Sequence, residues 1–273
     1  MKGIALSSCV NYEWSNIQKL IISFRKVCLT EEMIMCFYNM PNNETIKRLK
    51  SNNITPLLVS SQRPGRVVVE RFLAYADILN QSDADYAVCV DAGDVYFQLN
   101  PFDWLIKNLP GSSKVVVGSE QLLYRDEKWG NENLMQSYPN FYNIVKDFEI
   151  GNAGSLGGEK NALAKICKEI YDLSFNNNIF NPDQAALNVL MRVIHPDYFY
   201  FTQPDDGWSY QCGTAANDVR GDDPTYAYNS KLIGNKPKIL GDFVVNSHNL
   251  PVCLVHQHHH NRTITNLIER NLQ

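Results

Sequence analysis

Short apolar runs alternate with longer amphipathic segments along the first hundred residues of the chain. A short apolar run between polar boundaries predicts a strand, and an apolar stripe at helical spacing predicts a helix. Because successive strand–helix units build parallel sheets, the pattern predicts an α/β fold with a doubly wound, mostly parallel central sheet. The predicted strands are Gly3 to Val10, Glu32 to Tyr38, Ile54 to Val59 and the run that ends at Asp91, and the predicted helices begin at about Trp14, Thr45 and Arg66.

The second half of the chain has a less regular pattern. It predicts a strand over Lys114 to Gly118, a glycine-rich strand and turn from Gly151, and a helix over Lys160 to Leu173. Pro182 and Asp183 fit the first turn of another helix. Residues Gln203 to Asn235 lack periodicity and are expected to form a long functional loop. A late strand, Val252 to Val255, leads into His256, and Thr263 to Leu272 is predicted to be the last helix.

Length and composition are those of an ordinary globular protein. The chain has 273 residues, 44% of them hydrophobic and 20% charged, with a formal net charge of −4. Basic residues do not cluster, which argues against a nucleic-acid partner, and no apolar run approaches the length of a membrane span. The seven cysteines are odd in number, which favours reduced thiols over a disulfide framework. We therefore expect a soluble, cytoplasmic protein.

Two carboxylates, Asp91 and Asp94, follow the apolar run that begins at Tyr86. Gly93 lies between them and permits a tight backbone. Ligands of doubly wound sheets bind beyond the carboxyl ends of the strands, where this pair is expected to lie. Neighbouring carboxylates repel unless a cation or a proton lies between them, and hard oxygen ligands suit Mg²⁺ or Mn²⁺, which in turn suit a diphosphate. The alternative interpretation is a turn with two solvated aspartates.

Two further polar clusters follow predicted strands in the second half. Gly154 would leave its backbone open to a ligand, and Asn152 beside it offers a donor and acceptors. His256 follows an apolar strand as Asp91 does, and imidazole is a common metal ligand. Alternatively, the histidines from His256 to His260 lie in a solvated loop. Taken alone, His258 and His260 are expected to do so.

Four strings carry a resemblance to a known family: VCVDAGDVYFQLNPF, GNAGSLGG, NPDQAALN and VCLVHQ. Their order resembles that of GT-A fold glycosyltransferases, which use nucleotide sugars, and in particular the retaining, glycogenin-like and galactosyltransferase-like group. The resemblance runs from about Lys2 to Arg262. In that group a D-x-D motif ends a core strand and a late histidine completes a Mn²⁺ site. This chain has D-x-x-D instead, and some capsule- and lipopolysaccharide-type transferases show a similar D-x-x-D-V-x-F-Q string.

The resemblance implies a metal and diphosphate site. Asp94 and His256 would bind Mn²⁺ or Mg²⁺, and Asp91 would bind the metal or the ribose hydroxyls. Arg262 stands at the offset from the histidine where the family often has a diphosphate-contacting lysine, in the pattern H-x-x-G-x-x-K. Arginine can pair with phosphate oxygens in bidentate fashion, so the exchange is chemically reasonable. His259 replaces the glycine of that pattern.

The resemblance also implies donor-binding and catalytic residues. Asp183 and Gln184 would approach the transferred sugar or the acceptor hydroxyl, with Asn152 and Gly154 on the same sugar-binding side. The remaining donor-binding candidates are Arg71, in the helix before the Asp91 strand, and Tyr12, which would stack on the nucleotide base. Alternatively, Arg71 and Tyr12 are ordinary surface residues, and Asp183 only stabilises the start of a helix.

The sequence thus predicts a single domain over residues 1–273, with a nucleotide-binding half at 1–100 and a sugar and acceptor half at 101–273. The resemblance implies metal-dependent hexosyl transfer with retention, from a nucleotide diphosphate sugar to a glycan, lipid-linked or protein acceptor. It also favours UDP over GDP. Two alternatives stay open, a metal-dependent sugar nucleotidyltransferase or phosphoesterase and a non-catalytic glycan-binding protein. A nucleotidyltransferase is expected to have a glycine-rich, basic loop after its first strand, and Ser7 to Trp14 has neither property.

Overall fold

The computed structural model describes residues 1–63, 65–219 and 223–272. Strands and helices alternate in its first half, as the sequence predicted. The strands are β1 (Gly3–Cys9), β2 (Glu32–Phe37), β3 (Thr55–Leu58), β4 (Tyr86–Asp91), β5 (Val95–Phe97), β6 (Val115–Leu123), β7 (Glu149–Glu159), β8 (Phe199–Thr202), β9 (Ser209–Gln211), β10 (Lys238–Leu240), β11 (Phe243–Val245) and β12 (Leu254–His256). The helices are α1 (Trp14–Val27), α2 (Asn43–Ser51), α3 (Val67–Gln81), α4 (Pro101–Asn108), α5 (Lys128–Ser137), α6 (Pro139–Val145), α7 (Lys160–Phe175), α8 (Asp183–Val189), α9 (Cys212–Ala215), α10 (Pro224–Leu232) and α11 (Arg262–Asn271).

The central sheet has seven strands in the order β3-β2-β1-β4-β7-β6-β8. β1 to β4 are parallel to one another, and β6 is parallel to β8. Only β7, among the described strands of this sheet, runs against its neighbours, and it lies between β4 and β6. The sheet is therefore mostly parallel, as predicted, and the order reverses beside β1 and β4, where such sheets bind ligands.

Both faces of the sheet are covered at β4, which explains why this strand is a continuous apolar run. Ala87 and Cys89 join the core on one face, where α3 and α7 pack. Val88 and Val90 join the core on the other face, which includes α1 and α4. Successive side chains of a strand point to opposite faces, so a strand covered by helices on both sides must be apolar throughout.

A second, three-stranded sheet packs against the first and has the order β5-β12-β9. β12 is antiparallel to β5 and parallel to β9. All three strands are three residues long. Their main effect is to bring residues that are distant in sequence to the edge where β4 ends.

Two predictions about the second half were wrong. The segment from Gly151 forms no turn: it lies inside β7, where atoms of neighbouring elements occupy the space beside its glycines. The segment from 203 to 235 is not one long loop, because β9, α9 and α10 lie within it, and 220–222 fall outside the described residues. β9 and α9 are too short to produce a periodic pattern, and α10 has no apolar stripe because Asn229 is its one buried residue.

The seven cysteines are all buried and none forms a disulfide. Among the described helices, none has both the length and the apolar composition needed to cross a membrane.

Candidate metal centre and active site

Two carboxylates and one imidazole meet where β4, β5 and β12 adjoin. Asp91 is the last residue of β4, Asp94 precedes β5, and His256 is the last residue of β12. His256 is opposite Val95 in the antiparallel β5–β12 pair, and this register sets the imidazole beside Asp94. His256 Nε2 lies 3.4 Å from Asp91 Oδ2 and 3.4 Å from Asp94 Oδ1. One ligand atom from each residue lies within 4.8 Å of the other two, so this Asp–Asp–His trio could hold a metal ion.

A glutamine that the sequence analysis did not single out fixes the imidazole. Gln211 lies opposite His256 in the β9–β12 pair, and its Oε1 is 2.6 Å from His256 Nδ1. Gln211 Nε2 donates to the hydroxyls of Ser155 and Ser209, both at 3.0 Å, which leaves the amide oxygen to accept from the imidazole. In the neutral ring Nδ1 then carries the hydrogen, and Nε2 presents its lone pair to the carboxylates.

His256 Nε2 is buried and makes no hydrogen bond among the described residues. A buried polar atom without a partner costs free energy, and a cation held between this nitrogen and the two carboxylates would remove that cost. Burial lowers the pKa of His256, but the nearby carboxylates of Asp94 and Asp91 outweigh burial and raise that pKa to about 10. The trio therefore attracts positive charge, and its donor atoms fit a divalent cation.

Arg71 links the trio to the first turn of α8. Its guanidinium pairs with Asp91 Oδ1 and, at 3.2 Å, with Asp183 Oδ2. Burial raises the pKa of both carboxyls. At Asp91 the charge of Arg71 outweighs burial and holds the pKa well below its usual range, whereas the pKa of Asp183 stays raised. Arg71 is not the surface residue of the alternative interpretation, since it is 9% exposed. It keeps Asp91 ionised and oriented.

The predicted sugar-side residues are held by hydrogen bonds between β7 and α8. Asn188 exchanges two hydrogen bonds of 2.8 Å with the backbone of Gly151, which fixes α8 on the strand. Gln184 Oε1 accepts from the backbone N–H of Ala153 at 3.4 Å. Asp183 and Gln184 are therefore on the first turn of a helix whose start is fixed beside the trio. Whether they contact a sugar stays a prediction.

Asn152 is buried and bonded within the protein. Its Nδ2 donates to Glu120 Oε1 at 2.8 Å, and its Oδ1 accepts from the backbone N–H of Gly154 at 2.7 Å. Glu120 is 6% exposed, and burial raises its pKa to about 7 despite the hydrogen bond from Asn152. This carboxyl could not be predicted from the sequence, because it follows a predicted strand without any accompanying motif.

The space beside Gly154 is occupied by the protein itself. A Cβ at this position would lie 2.4 Å from His256 Cε1 and 2.6 Å from Asp91 Oδ2. The missing side chain allows two members of the trio to pack against β7. Whether it also lets a ligand approach the backbone stays a prediction.

A cavity of about 550 Å³ opens beside the trio. Its walls come from the loop after β1, the first turns of α1 and α3, the turn from Asp91 to Asp94, and the turn at His258 and His259. Tyr12 lines it, and a Cβ at Gly93 would lie 3.2 Å from the tyrosine ring. The predicted nucleotide-side residues Tyr12, Arg71 and Asp91 thus face one cavity.

Arg262 is placed differently from Tyr12, Arg71 and Asp91. It is the first residue of α11, its side chain is exposed, and its backbone N–H donates to Asp218 Oδ1 at 2.9 Å. It is not among the described residues that line the cavity. His259 lies closer, with its Nδ1 3.8 Å from Asp94 Oδ2.

No family model and no curated protein matches this sequence. Among solved structures, the apo form of the bifunctional glycosyltransferase WbbM is similar over 99% of this chain and 49% of its own, with a TM-score of 0.62 and 12% identity. The apo form of the glycosyltransferase GlyE from Streptococcus pneumoniae TIGR4 is similar over 94% and 54%, with a TM-score of 0.53 and 13% identity. This chain spans about half the length of each. It has the GT-A-like fold of these glycosyltransferases.

Proposed function

We propose that the protein is a metal-dependent glycosyltransferase that takes a sugar from a nucleotide diphosphate sugar, with UDP favoured. The observation that carries this proposal is the Asp91–Asp94–His256 trio beside the cavity, with His256 Nε2 aimed at both carboxylates by Gln211. The GT-A-like fold supports it, because the two similar structures are glycosyltransferases. The proposed acceptor is a glycan, a lipid-linked saccharide or a protein.

The proposed metal ion is Mn²⁺, with Mg²⁺ as the alternative. Carboxylates suit both ions, and an imidazole ligand favours the softer Mn²⁺. Asp91, Asp94 and His256 would hold it. When bound, the ion would neutralise charge that builds on the diphosphate as the glycosidic bond breaks.

The protein's own groups then have distinct roles in the proposed reaction. Arg71 keeps Asp91 ionised, and Gln211 keeps the imidazole of His256 in the tautomer that offers Nε2. Asp183 and Gln184 would hold the sugar in its reacting pose, which lowers the entropic part of the barrier. With retention, the acceptor hydroxyl enters on the face that the diphosphate leaves, so a phosphate oxygen can accept its proton.

A thermal-shift screen of UDP- and GDP-sugars with Mn²⁺ tests the proposal and identifies the donor. A ligand that binds the folded state raises the melting temperature, and at a concentration of one hundred Kd the stabilisation is about 2.7 kcal/mol. We expect a shift that needs both the nucleotide and the metal. Shifts with sugars or glycans alone would instead support a glycan-binding protein. A nucleoside monophosphate found among the products of the same mixtures would support a phosphoesterase.

A further inference from the structure

The cavity is also lined by two polar side chains that none of the predicted roles uses. Lys19 on α1 and His258 after β12 both line it. We propose that Lys19 and His258 form an anion subsite that binds the diphosphate of the nucleotide, in the place that the sequence analysis gave to Arg262. This inference rests on the proposed function and adds two positioning residues to it.

The positive charges at the trio are already balanced by its carboxylates, so a bound diphosphate would need further positive partners. The carboxylates of Asp91 and Asp94 would balance a divalent cation, and Arg71 is engaged by Asp91 and Asp183. A nucleoside diphosphate is an anion of high charge, for which Lys and Arg are the usual partners. Among the described residues that line the cavity, the lysine and arginine side chains are Arg71 and Lys19, so Lys19 is left to pair with the diphosphate.

Lys19 is held in position by the last helix. Its Nζ lies 2.8 Å from Glu269 Oε1 on α11, and its side chain is 21% exposed. Glu269 is more exposed, at 54%, so water weakens its hold on the ammonium group. An ammonium group has three donors, so Lys19 can keep this pair and still donate to a phosphate oxygen.

His258 supplies the second, independent observation. It is 1% exposed, it lies at the cavity wall, and neither of its ring nitrogens has a hydrogen-bond partner among the described residues. Its backbone is fixed, because Thr265 Oγ1 donates to its carbonyl at 2.9 Å and Gln257 before it adopts a left-handed φ of 55°. A buried imidazole without a partner has an unmet donor, and a phosphate oxygen would satisfy it.

Calorimetric titration with UDP and with uridine, both in the presence of Mn²⁺, separates the contribution of the diphosphate to binding from that of the nucleoside. Lys19→Gln should lower the affinity for UDP about tenfold, as expected for the loss of one charge-assisted hydrogen bond. The affinity for uridine should not change. Its UDP affinity should also fall less steeply with added salt than that of the wild type. His258→Phe keeps the ring but removes both nitrogens, and should weaken UDP in the same selective way.

Glu269→Gln is the matched control for the ion pair. It removes the negative charge from the Lys19–Glu269 contact but keeps the cation, so we expect UDP to bind at least as tightly as in the wild type. Equal losses in Lys19→Gln and Glu269→Gln would overturn the proposal, because they would show that the ion pair matters only for structure. Unchanged UDP affinity in both Lys19→Gln and His258→Phe would also overturn it.

The same titration distinguishes this failure from that of the proposed function. If the wild type binds UDP with Mn²⁺ and the two variants do so equally well, only the subsite is wrong. If the wild type binds neither UDP nor GDP in the presence of Mn²⁺, the proposed function fails and the subsite fails with it.

Discussion

Three residues support the Asp–Asp–His trio without belonging to it. Gln211 sets the tautomer of His256, Arg71 holds the charge of Asp91, and Gly154 leaves room for both. Such surrounding groups commonly change metal affinity by one or two orders of magnitude, because they fix the orientation of each ligand. The trio is therefore better understood together with its supports than as three isolated ligands.

Replacing Gln211 by leucine tests the tautomer argument. The imidazole loses the acceptor for its Nδ1–H, so we expect Mn²⁺ affinity to fall by roughly tenfold to a hundredfold. Ser209→Ala is the control, since it removes only one of the two hydroxyls that accept from Gln211 Nε2. Metal titration followed by calorimetry gives both affinities. Wild-type affinity in Gln211→Leu would show that the hydrogen bond does not orient the ligand.

Gly154→Ala tests the packing argument with a single methyl group. The new Cβ would lie within 2.6 Å of Asp91 Oδ2 and closer still to His256, so both ligands must shift. We expect Mn²⁺ affinity to fall roughly tenfold or more. Gly111→Ala is the matched control, because a Cβ there meets no atom within 4 Å. If both variants bind Mn²⁺ as the wild type does, the close packing at Gly154 is not needed.

At the scale of secondary-structure elements, an irregularity in β6 places Glu120 in the site. The register between β6 and β7 shifts on either side of Ser119, and Gln121 adopts a left-handed φ of 61°. Bulges of this kind re-aim side chains and are frequent beside active sites. Here the irregular stretch sets the Glu120 carboxyl against Asn152.

The raised pKa of Glu120 predicts a pH-dependent stability. The carboxyl ionises at an ordinary pKa of 4.5 when unfolded, but at about 7 when folded, because burial disfavours its charge. Between these values the folded state binds the extra proton, so this contribution is complete below pH 4.5 and is lost as the pH rises towards 7. Its full size is roughly 3 kcal/mol.

Urea unfolding of the wild type and of Glu120→Gln, both with a chelator, measures this contribution. Glutamine is neutral at every pH and can still accept from Asn152, so its stability relative to the wild type should rise between pH 4.5 and 7. The difference between the two proteins cancels the titration of all other groups. A difference that is the same at every pH would mean that Glu120 ionises normally.

The elements that could be predicted are those with a long apolar pattern. β4 and the helices α1, α3 and α7 each bury a continuous run or a stripe, which is visible in the sequence. The strands β5, β9 and β12 are too short for this, although two of them carry or adjoin trio residues. His256 could be found because an apolar run precedes it, whereas Gln211 lies in a segment without periodicity.

At the scale of the whole molecule, the site depends on topology more than on local sequence. Asp91 and His256 are far apart along the chain and meet because β12 pairs with β5 just after β4 ends. The position beyond the strand ends could be predicted from the rule for doubly wound sheets. The positions of Glu120 and Lys19 could not be predicted, because they depend on a bulge in β6 and on the ion pair between α1 and α11.

The central claim is that the trio makes sugar transfer depend on a divalent metal. The most direct test is the release of UDP from the UDP-sugar that binds best, measured with Mn²⁺ and with a chelator. We expect the wild type to release UDP only with Mn²⁺, and Asp94→Asn to lose this activity while melting cooperatively. Asp77→Asn, an exposed change on α3, should keep it. Equal UDP release by Asp94→Asn and the wild type, or release undiminished by the chelator, would contradict the account.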